Sequence, residues 1–165
     1  MAAAIFAAAI LFSELAVNRG ISTLKELPNS GALRMLTQFE DPALLQRSLD
    51  YALSGKVRNQ DSIIQFAFAL QSDENRDQTW KYIQDNWEKV QTQLTPEMGA
   101  YLVRSTGDFC SADARASVEK FFAAHKVPSA DQYLKHALES IDGCIELRKL
   151  QEPKLKQWLA AHAKQ

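Results

Sequence analysis

Apolar side chains recur along this chain every three to four residues, the spacing of helices with one buried face, and no segment shows the two-residue alternation of a strand. The chain opens on an eleven-residue apolar run, Ala2 to Phe12 (AAAIFAAAILF). Leu15 and Val17 continue its helical register to about Asn18 before Gly20 supplies a stop. Asp41 followed by Pro42 reads as an N-cap with proline at the first helical position. Leu45, Leu49, Ala52 and Leu53 then form one face that Gly55 ends. Asp61 is placed to cap a run from Ser62 to Gln71. Its Ile63, Ile64, Phe66, Ala67, Phe68, Ala69 and Leu70 leave almost no polar face, which predicts a helix buried on more than one side.

Further along, Trp80, Ile83, Trp87, Val90 and Leu94 lie on one helical stripe opposite Lys81, Asp85, Glu88 and Lys89, predicting a single helix from Arg76 to Leu94. Thr95 and Pro96 repeat the helix-start signal. Ser111 caps a helix bearing Val118, Phe121 and Phe122, which Val127 and Pro128 close. Ser129 then opens a long helix with Leu134, Leu138, Ile141 and Ile145 on its face. A last short helix after Pro153 presents Leu155, Trp158 and Leu159. Every connection is short, so consecutive helices are expected to pack as antiparallel pairs. The predicted class is all-α, with the pairs stacked as a HEAT/ARM-like right-handed superhelix.

Composition agrees with this pattern. Gly and Pro together account for only 11 of 165 residues, and 46% of the chain is apolar, enough for a packed core. The balance of 19 basic and 20 acidic side chains leaves a net charge of −1, which gives no global attraction to nucleic acid or to an anionic membrane. The apolar run at residues 2–12 is shorter than the roughly 20 residues that span a bilayer, and no Lys or Arg precedes it as in a secretory signal. It is read as a buried helix, with a targeting segment and an anchor as alternatives. Cys110 and Cys144 stand 34 positions apart without neighbouring thiols, and no Asn-x-Ser/Thr sequon occurs. A disulfide framework and a zinc knuckle are both disfavoured on this spacing, and a cytoplasmic location is expected. The alternative is a secreted or membrane-associated protein, if residues 2–12 act as a signal or anchor.

Signatures of catalysis are sparse. No Gly-x-Ser-x-Gly elbow, dinucleotide fingerprint or phosphate loop is present. His136 and Glu139 share a helix face at i, i+3, but Ser140 stands where a further metal ligand is needed, so a surface pair is expected. Cys110 next to Ser111 occupies a helix start, where a thiol is activated. No histidine lies near it in sequence, so an inert thiol is the expectation. Asp73, Glu74 and Asp77 complement the start of the Trp80 helix. Trp80, Trp87 and the Phe121–Phe122 pair fit core packing, and Arg148, Lys149, Lys154 and Lys156 fit a solvated face. The polar segment Lys56 to Asp61 is different, because Arg58, Asn59 and Gln60 have no evident structural duty. The planar fork of Arg58 suits a carboxylate, internal or on a peptide.

The same segment carries a resemblance. Leu44 to Asp61 (LLQRSLDYALSGKVRNQD) resembles the C-terminal helical domain of M1 zinc aminopeptidases, the ERAP1-like domain. Further similar segments follow in order: Trp80 to Val90, with its Trp-x-x-x-x-x-Asn-Trp pattern; Gly107-Asp-Phe109; Val118-Glu-Lys-Phe-Phe122; Pro128 to Asp131; Leu138 to Ile141; and Trp158-Leu159. The resemblance covers about Leu33 to Ala161 and, within the family, looks most like the cytosolic, puromycin-sensitive branch. It implies an aminopeptidase C-terminal-like helical domain over residues 31–165, preceded by an unassigned helix and linker over 1–30. Such a domain forms a bowl that encloses the peptide cavity of a catalytic domain, here with Arg58, Asn59 and Gln60 as candidate cavity contacts. It also implies that the catalytic zinc, held by His-Glu-x-x-His and a distal Glu, and the Gly-x-Met-Glu-Asn loop belong to other domains. No residue of this chain matches those motifs. The expected partner is therefore an M1 catalytic domain or a peptide, with no catalytic residue, metal or cofactor in the chain itself. An independent helical-repeat interaction module is the alternative. Two departures stand out. Leu147 replaces a usual Trp, and Pro153 falls where the family's closing helix is commonly continuous.

Overall fold

The structure, a computed structural model, describes residues 30–162. Among these are eight α-helices, two 3-10 turns and no strand, so the protein is all-α. The helix expected within residues 2–18 lies outside the described residues. In chain order the helices are α1 (Ser30–Met35), α2 (Pro42–Ala52), α3 (Asn59–Gln71), α4 (Arg76–Asp85), α5 (Trp87–Gln91), α6 (Pro96–Ser105), α7 (Ala112–Ala124) and α8 (Asp131–His162). The 3-10 turns cover Leu36–Gln38 and Thr106–Asp108. Two compact units divide the chain, the first ending at Met98 and the second beginning at Gly99.

In the first unit α3 is the central element, in contact with α1, the Leu36–Gln38 turn, α2 and α4. Ile63, Phe66, Ala67, Ala69 and Leu70 on α3 are completely buried. A helix surrounded in this way must also place its polar side chains against partners. Ser62 Oγ donates to the Ala52 carbonyl at 2.7 Å, and Gln65 Nε2 donates to the Ser48 carbonyl at 3.0 Å, tying α3 to the end and middle of α2. Asp41 caps α2 as expected, its Oδ1 accepting from the backbone N–H groups of Ala43 and Leu44 at 2.8 and 3.1 Å. The chain then leaves α2 through Leu53, and Gly55 adopts φ +76°, a left-handed turn conformation that favours glycine.

The tryptophan stripe is correctly placed, with Trp80, Ile83, Trp87 and Val90 all buried, but the single helix expected from Arg76 to Leu94 is two. Asn86 takes φ −114° and ψ 21°, and its side-chain Nδ2 donates to the Tyr82 carbonyl at 2.9 Å. A short amide side chain that bonds the preceding turn competes with helix propagation, so α4 ends there and α5 starts one residue later. The stripe survives because the break removes no residue from the helical count. Asn75, just before α4, donates to the Thr37 carbonyl at 2.7 Å and thereby anchors the Leu36–Gln38 turn, an element with no clear sequence signal.

The second unit contains the Thr106–Asp108 turn, α7 and α8, with Leu102, Val103, Phe109, Val118, Phe122 and Ile141 among its buried residues. Ser111 caps α7 as expected, accepting from the Ala114 N–H at 3.2 Å. Ser129 does not open α8. It sits in a turn at φ 62°, and the helix starts two residues later, with the Leu134 N–H donating to the Ala130 carbonyl at 2.8 Å. Gly107 lies against α8: a Cβ there would meet the Ala137 Cα at 3.2 Å, so only glycine allows this backbone approach without a shift.

The break expected at Pro153 is also absent, because α8 runs unbroken from Asp131 to His162 with Pro153 inside it. Proline removes one helical hydrogen bond and crowds the carbonyl four residues earlier. Every residue from Glu146 to His162 is exposed, so water can satisfy the carbonyl that loses its partner. Pro153→Ala should therefore strengthen the exposed half of α8, proline being about 3 kcal/mol poorer than alanine inside a helix. Amide exchange over residues 150–160 should slow in this variant while the melting temperature of the buried core stays unchanged. Equal exchange in the two proteins would contradict the account.

Candidate functional site

Arg58, Asn59 and Gln60 sit together at the start of α3. Arg58 is the N-cap residue, with extended backbone (φ −64°, ψ 142°), and Asn59 and Gln60 form the exposed first turn. The Arg58 Nε lies 2.6 Å from Asp61 Oδ2; the Arg58 side chain is 69% exposed and that of Asp61 only 9%. This corrects the expectation that Asp61 caps the helix. Asp61 is the third helical residue, and its carboxylate is held by Arg58 instead of by the first backbone N–H groups. The Arg58 carbonyl accepts from the Ser62 N–H at 3.0 Å. Arg58 thus has an internal carboxylate, yet its two Nη groups make no hydrogen bond to the described residues. Asn59 and Gln60 likewise make no side-chain hydrogen bond among the described residues. The cluster presents one guanidinium edge and two amides to solvent on a rigid helix start.

The other candidates resolve as follows. His136 Nδ1 lies 3.3 Å from Glu139 Oε2 on the exposed face of α8, with Lys135 Nζ 3.8 Å from the same carboxylate. No group of three or more His, Cys, Asp or Glu side chains able to hold a metal occurs among the described residues. Asp73 pairs with Arg76 at 2.7 Å, and Glu74 accepts from Ser72 Oγ at 3.1 Å, so these acids organise the entry to α4. Trp80, Trp87, Phe121 and Phe122 are all buried in packing. On the exposed half of α8, Lys149 pairs with Glu146 at 3.8 Å and Lys156 with Glu152 at 2.6 Å.

The cysteines require a correction. Cys110 and Cys144 form a disulfide, their Cα atoms 5.3 Å apart, so neither is a free thiol and Cys110 is not a nucleophile. Their sequence spacing gave no hint of this, because the pairing is made by α8 lying against α7 and the Thr106–Asp108 turn. Closing a loop of this length stabilises a fold by roughly 3–4 kcal/mol through the denatured chain.

The sequence profile of the ERAP1-like C-terminal domain matches residues 22–143, most of the chain. The chain belongs to the ERAP1-like C-terminal domain family. Among curated proteins it is 32% identical over 113 residues to Aminopeptidase 2, mitochondrial, of Saccharomyces cerevisiae, a match covering 67% of this chain and 12% of that protein. Aminopeptidase M1 of Arabidopsis thaliana is likewise 32% identical over 113 residues, 66% of this chain and 12% of the relative. The thyrotropin-releasing hormone-degrading ectoenzyme of Rattus norvegicus is 25% identical over 130 residues, 77% of this chain and again 12% of the relative. The chain thus spans only about an eighth of the length of these relatives.

Among the described residues His136 and Glu139 are two exposed side chains without a third donor. No helix of the described residues is long and apolar enough to cross a membrane. Inspection of the sequence also missed a polar contact that links α2 to α4. The Tyr82 hydroxyl donates to Asp50 Oδ1 at 2.8 Å, while Gln46 Nε2 donates to the same oxygen at 3.3 Å. Its only sequence signal is a tyrosine on the buried side of a helix, where the hydroxyl must find a partner.

Burial, reinforced by the hydrogen bond and negative charge of Asp50, pushes the Tyr82 phenol well above its ordinary value of 10.0. A raised folded-state value means that this contribution is fully present below pH 10 and is lost as pH climbs above it, because the unfolded phenol ionises first. Alkaline denaturation should therefore be steeper in the wild type than in Tyr82→Phe. That variant should be about 1 kcal/mol less stable at neutral pH. Urea titrations at neutral pH and above pH 10 measure both, and parallel pH profiles would rule the contribution out.

Proposed function

We propose that this chain is a non-catalytic C-terminal domain, or a fragment of one, of an M1-type aminopeptidase, enclosing the peptide cavity of a catalytic domain that lies outside the chain. The observation that carries the reading is the family match over residues 22–143 combined with coverage of only 12% of the related enzymes. The all-α fold supports it, as does a sequence without His-Glu-x-x-His or Gly-x-Met-Glu-Asn. In this reading the helices form antiparallel pairs in a right-handed superhelix over residues 31–165, and the domain supplies enclosure and distal contacts rather than bond chemistry. Its partners are a catalytic domain of the M1 type and the peptide that the pair encloses.

Arg58, Asn59 and Gln60 are the residues proposed to face the cavity. Asp61 orients the Arg58 guanidinium, and the outer Nη edge is left for a carboxylate such as a peptide C-terminus. The disulfide favours an oxidising, secreted location over the cytoplasmic one, where small thiols would hold the pair reduced.

Two measurements test this reading. The purified chain should not cleave aminoacyl fluorogenic substrates with or without added zinc, and metal-dependent cleavage would overturn it. Arg58→Ala should lower stability by about 1 kcal/mol, since the ion pair is largely exposed on the arginine side. In complex with a catalytic domain of the M1 type, the same variant should also weaken binding of a fluorescein-labelled oligopeptide with a free C-terminal carboxylate, but not of its amidated form. Unchanged affinity for both peptides would leave Arg58 as a brace for Asp61 only.

A further inference from the structure

Helix α8 is long, and its hold on the second unit is narrow. Of its 32 residues only Ala137 and Ile141 are buried. Both lie on the turns facing the Thr106–Asp108 segment, where Gly107 approaches the backbone of Ala137 and the side chain of Ser140. Cys144 is the next residue on that face, three positions after Ile141 and seven after Ala137. It is bonded to Cys110, which immediately precedes the α7 N-cap Ser111. Downstream of Cys144 only Ile145 is partly covered, and from Glu146 to His162 every residue is exposed. Leu147, Leu150, Leu155, Trp158 and Leu159 belong to this overhang, each at least half exposed. The disulfide is thus the last firm attachment before roughly 25 Å of unsupported helix, at 1.5 Å per residue. The Arg115 Nε to Asp142 Oδ1 ion pair at 2.6 Å also ties α7 to α8, but it is solvent-accessible and worth little alone.

We propose that the Cys110–Cys144 bond is a thiol-operated latch: closed, it pins the middle of α8 against the α7 end of the second unit; opened by a small thiol, it lets α8 come away from Ala137 onward. Both cysteines are only half-buried, so a small thiolate can reach the bond. Attack at Cys144 Sγ breaks the S–S bond, forms a mixed disulfide on Cys144 and expels Cys110 as a thiolate. Cys110 is the better leaving group, since it immediately precedes the α7 N-terminus, which favours its anionic form. A second thiol then attacks the mixed disulfide. Two small thiols thereby become one small disulfide, and their two electrons and two protons end on Cys110 and Cys144. With the bond gone, the buried Ala137 and Ile141, the half-buried Leu134, Leu138 and Ile145 and a solvent-accessible ion pair are left to hold a 32-residue helix.

The test uses the full chain and reduced glutathione as the thiol. After millimolar glutathione, maleimide labelling should add two groups to the chain mass. Amide exchange over residues 137–150 should then accelerate by about tenfold or more, while α3 keeps its protection. Cys144→Ser should show the same accelerated exchange without any thiol. Three results would overturn the latch. One is equal protection of residues 137–150 in oxidised and reduced chain; another is a bond that glutathione leaves intact. The third is loss of protection in α3 to the same extent as in α8, which would make the bond a global staple.

Discussion

Phe66 has no exposed surface, and neither do Ile63, Ala67, Ala69 and Leu70 around it on α3. Enclosing a helix on nearly all sides requires neighbours in several directions, and the rest of the first unit is arranged to provide them. Burial of the larger side chains, Phe66, Ile63 and Leu70, contributes about 1.5–3 kcal/mol each. The same burial imposes a polar condition, because a hydroxyl or amide on the enclosed helix loses water and must bond elsewhere. The Ser62 hydroxyl and the Gln65 amide N–H meet it at the carbonyls of Ala52 and Ser48, while Gln65 Oε1 stays buried without a partner; the two bonds fix α2 along α3 and give that contact a register that apolar packing alone would leave loose. Asp61 meets it through Arg58, so the residue most open to a functional reading is also the one that neutralises a nearly buried carboxylate.

The second unit solves a different problem. Its longest helix fully buries only Ala137 and Ile141, with Leu134, Leu138 and Ile145 half-buried beside them. Close backbone approach at Gly107 and a covalent bond add to that narrow packing. Such an arrangement holds one turn firmly and leaves the following turns to their own helix propensity, which is why Pro153 can sit in the exposed half without a visible break. It also leaves five large apolar side chains beyond Cys144 in solvent, a larger apolar display than any other described helix makes.

Membership of the ERAP1-like C-terminal domain family gives these features a setting. The chain spans about an eighth of its relatives, and some of its side chains are left unpartnered by its own fold. The outward edge of Arg58 with Asn59 and Gln60, and the bare end of α8, are the two clearest among the described residues. Neither is required by the packing around it.

The helical class, the caps at Asp41 and Ser111, the buried face of the tryptophan stripe and the all-round burial of α3 were legible in the sequence. Each depends on interactions within a turn or two of one helix, and those repeat with a period that can be read along the chain. The family resemblance was legible for the same reason, being carried by ordered local motifs. What tertiary structure decided involves competition or partners beyond that range. Asn86 bonds the preceding turn and ends α4 where periodicity runs on, and exposure to water lets α8 continue through Pro153. The Arg58 guanidinium, not the helix N-terminus, claims Asp61. Cys110 meets Cys144 across 34 positions, and Tyr82 meets Asp50 across 32. Periodicity specifies which face of a helix is buried; only the packed arrangement of the other helices determines what that face is buried against.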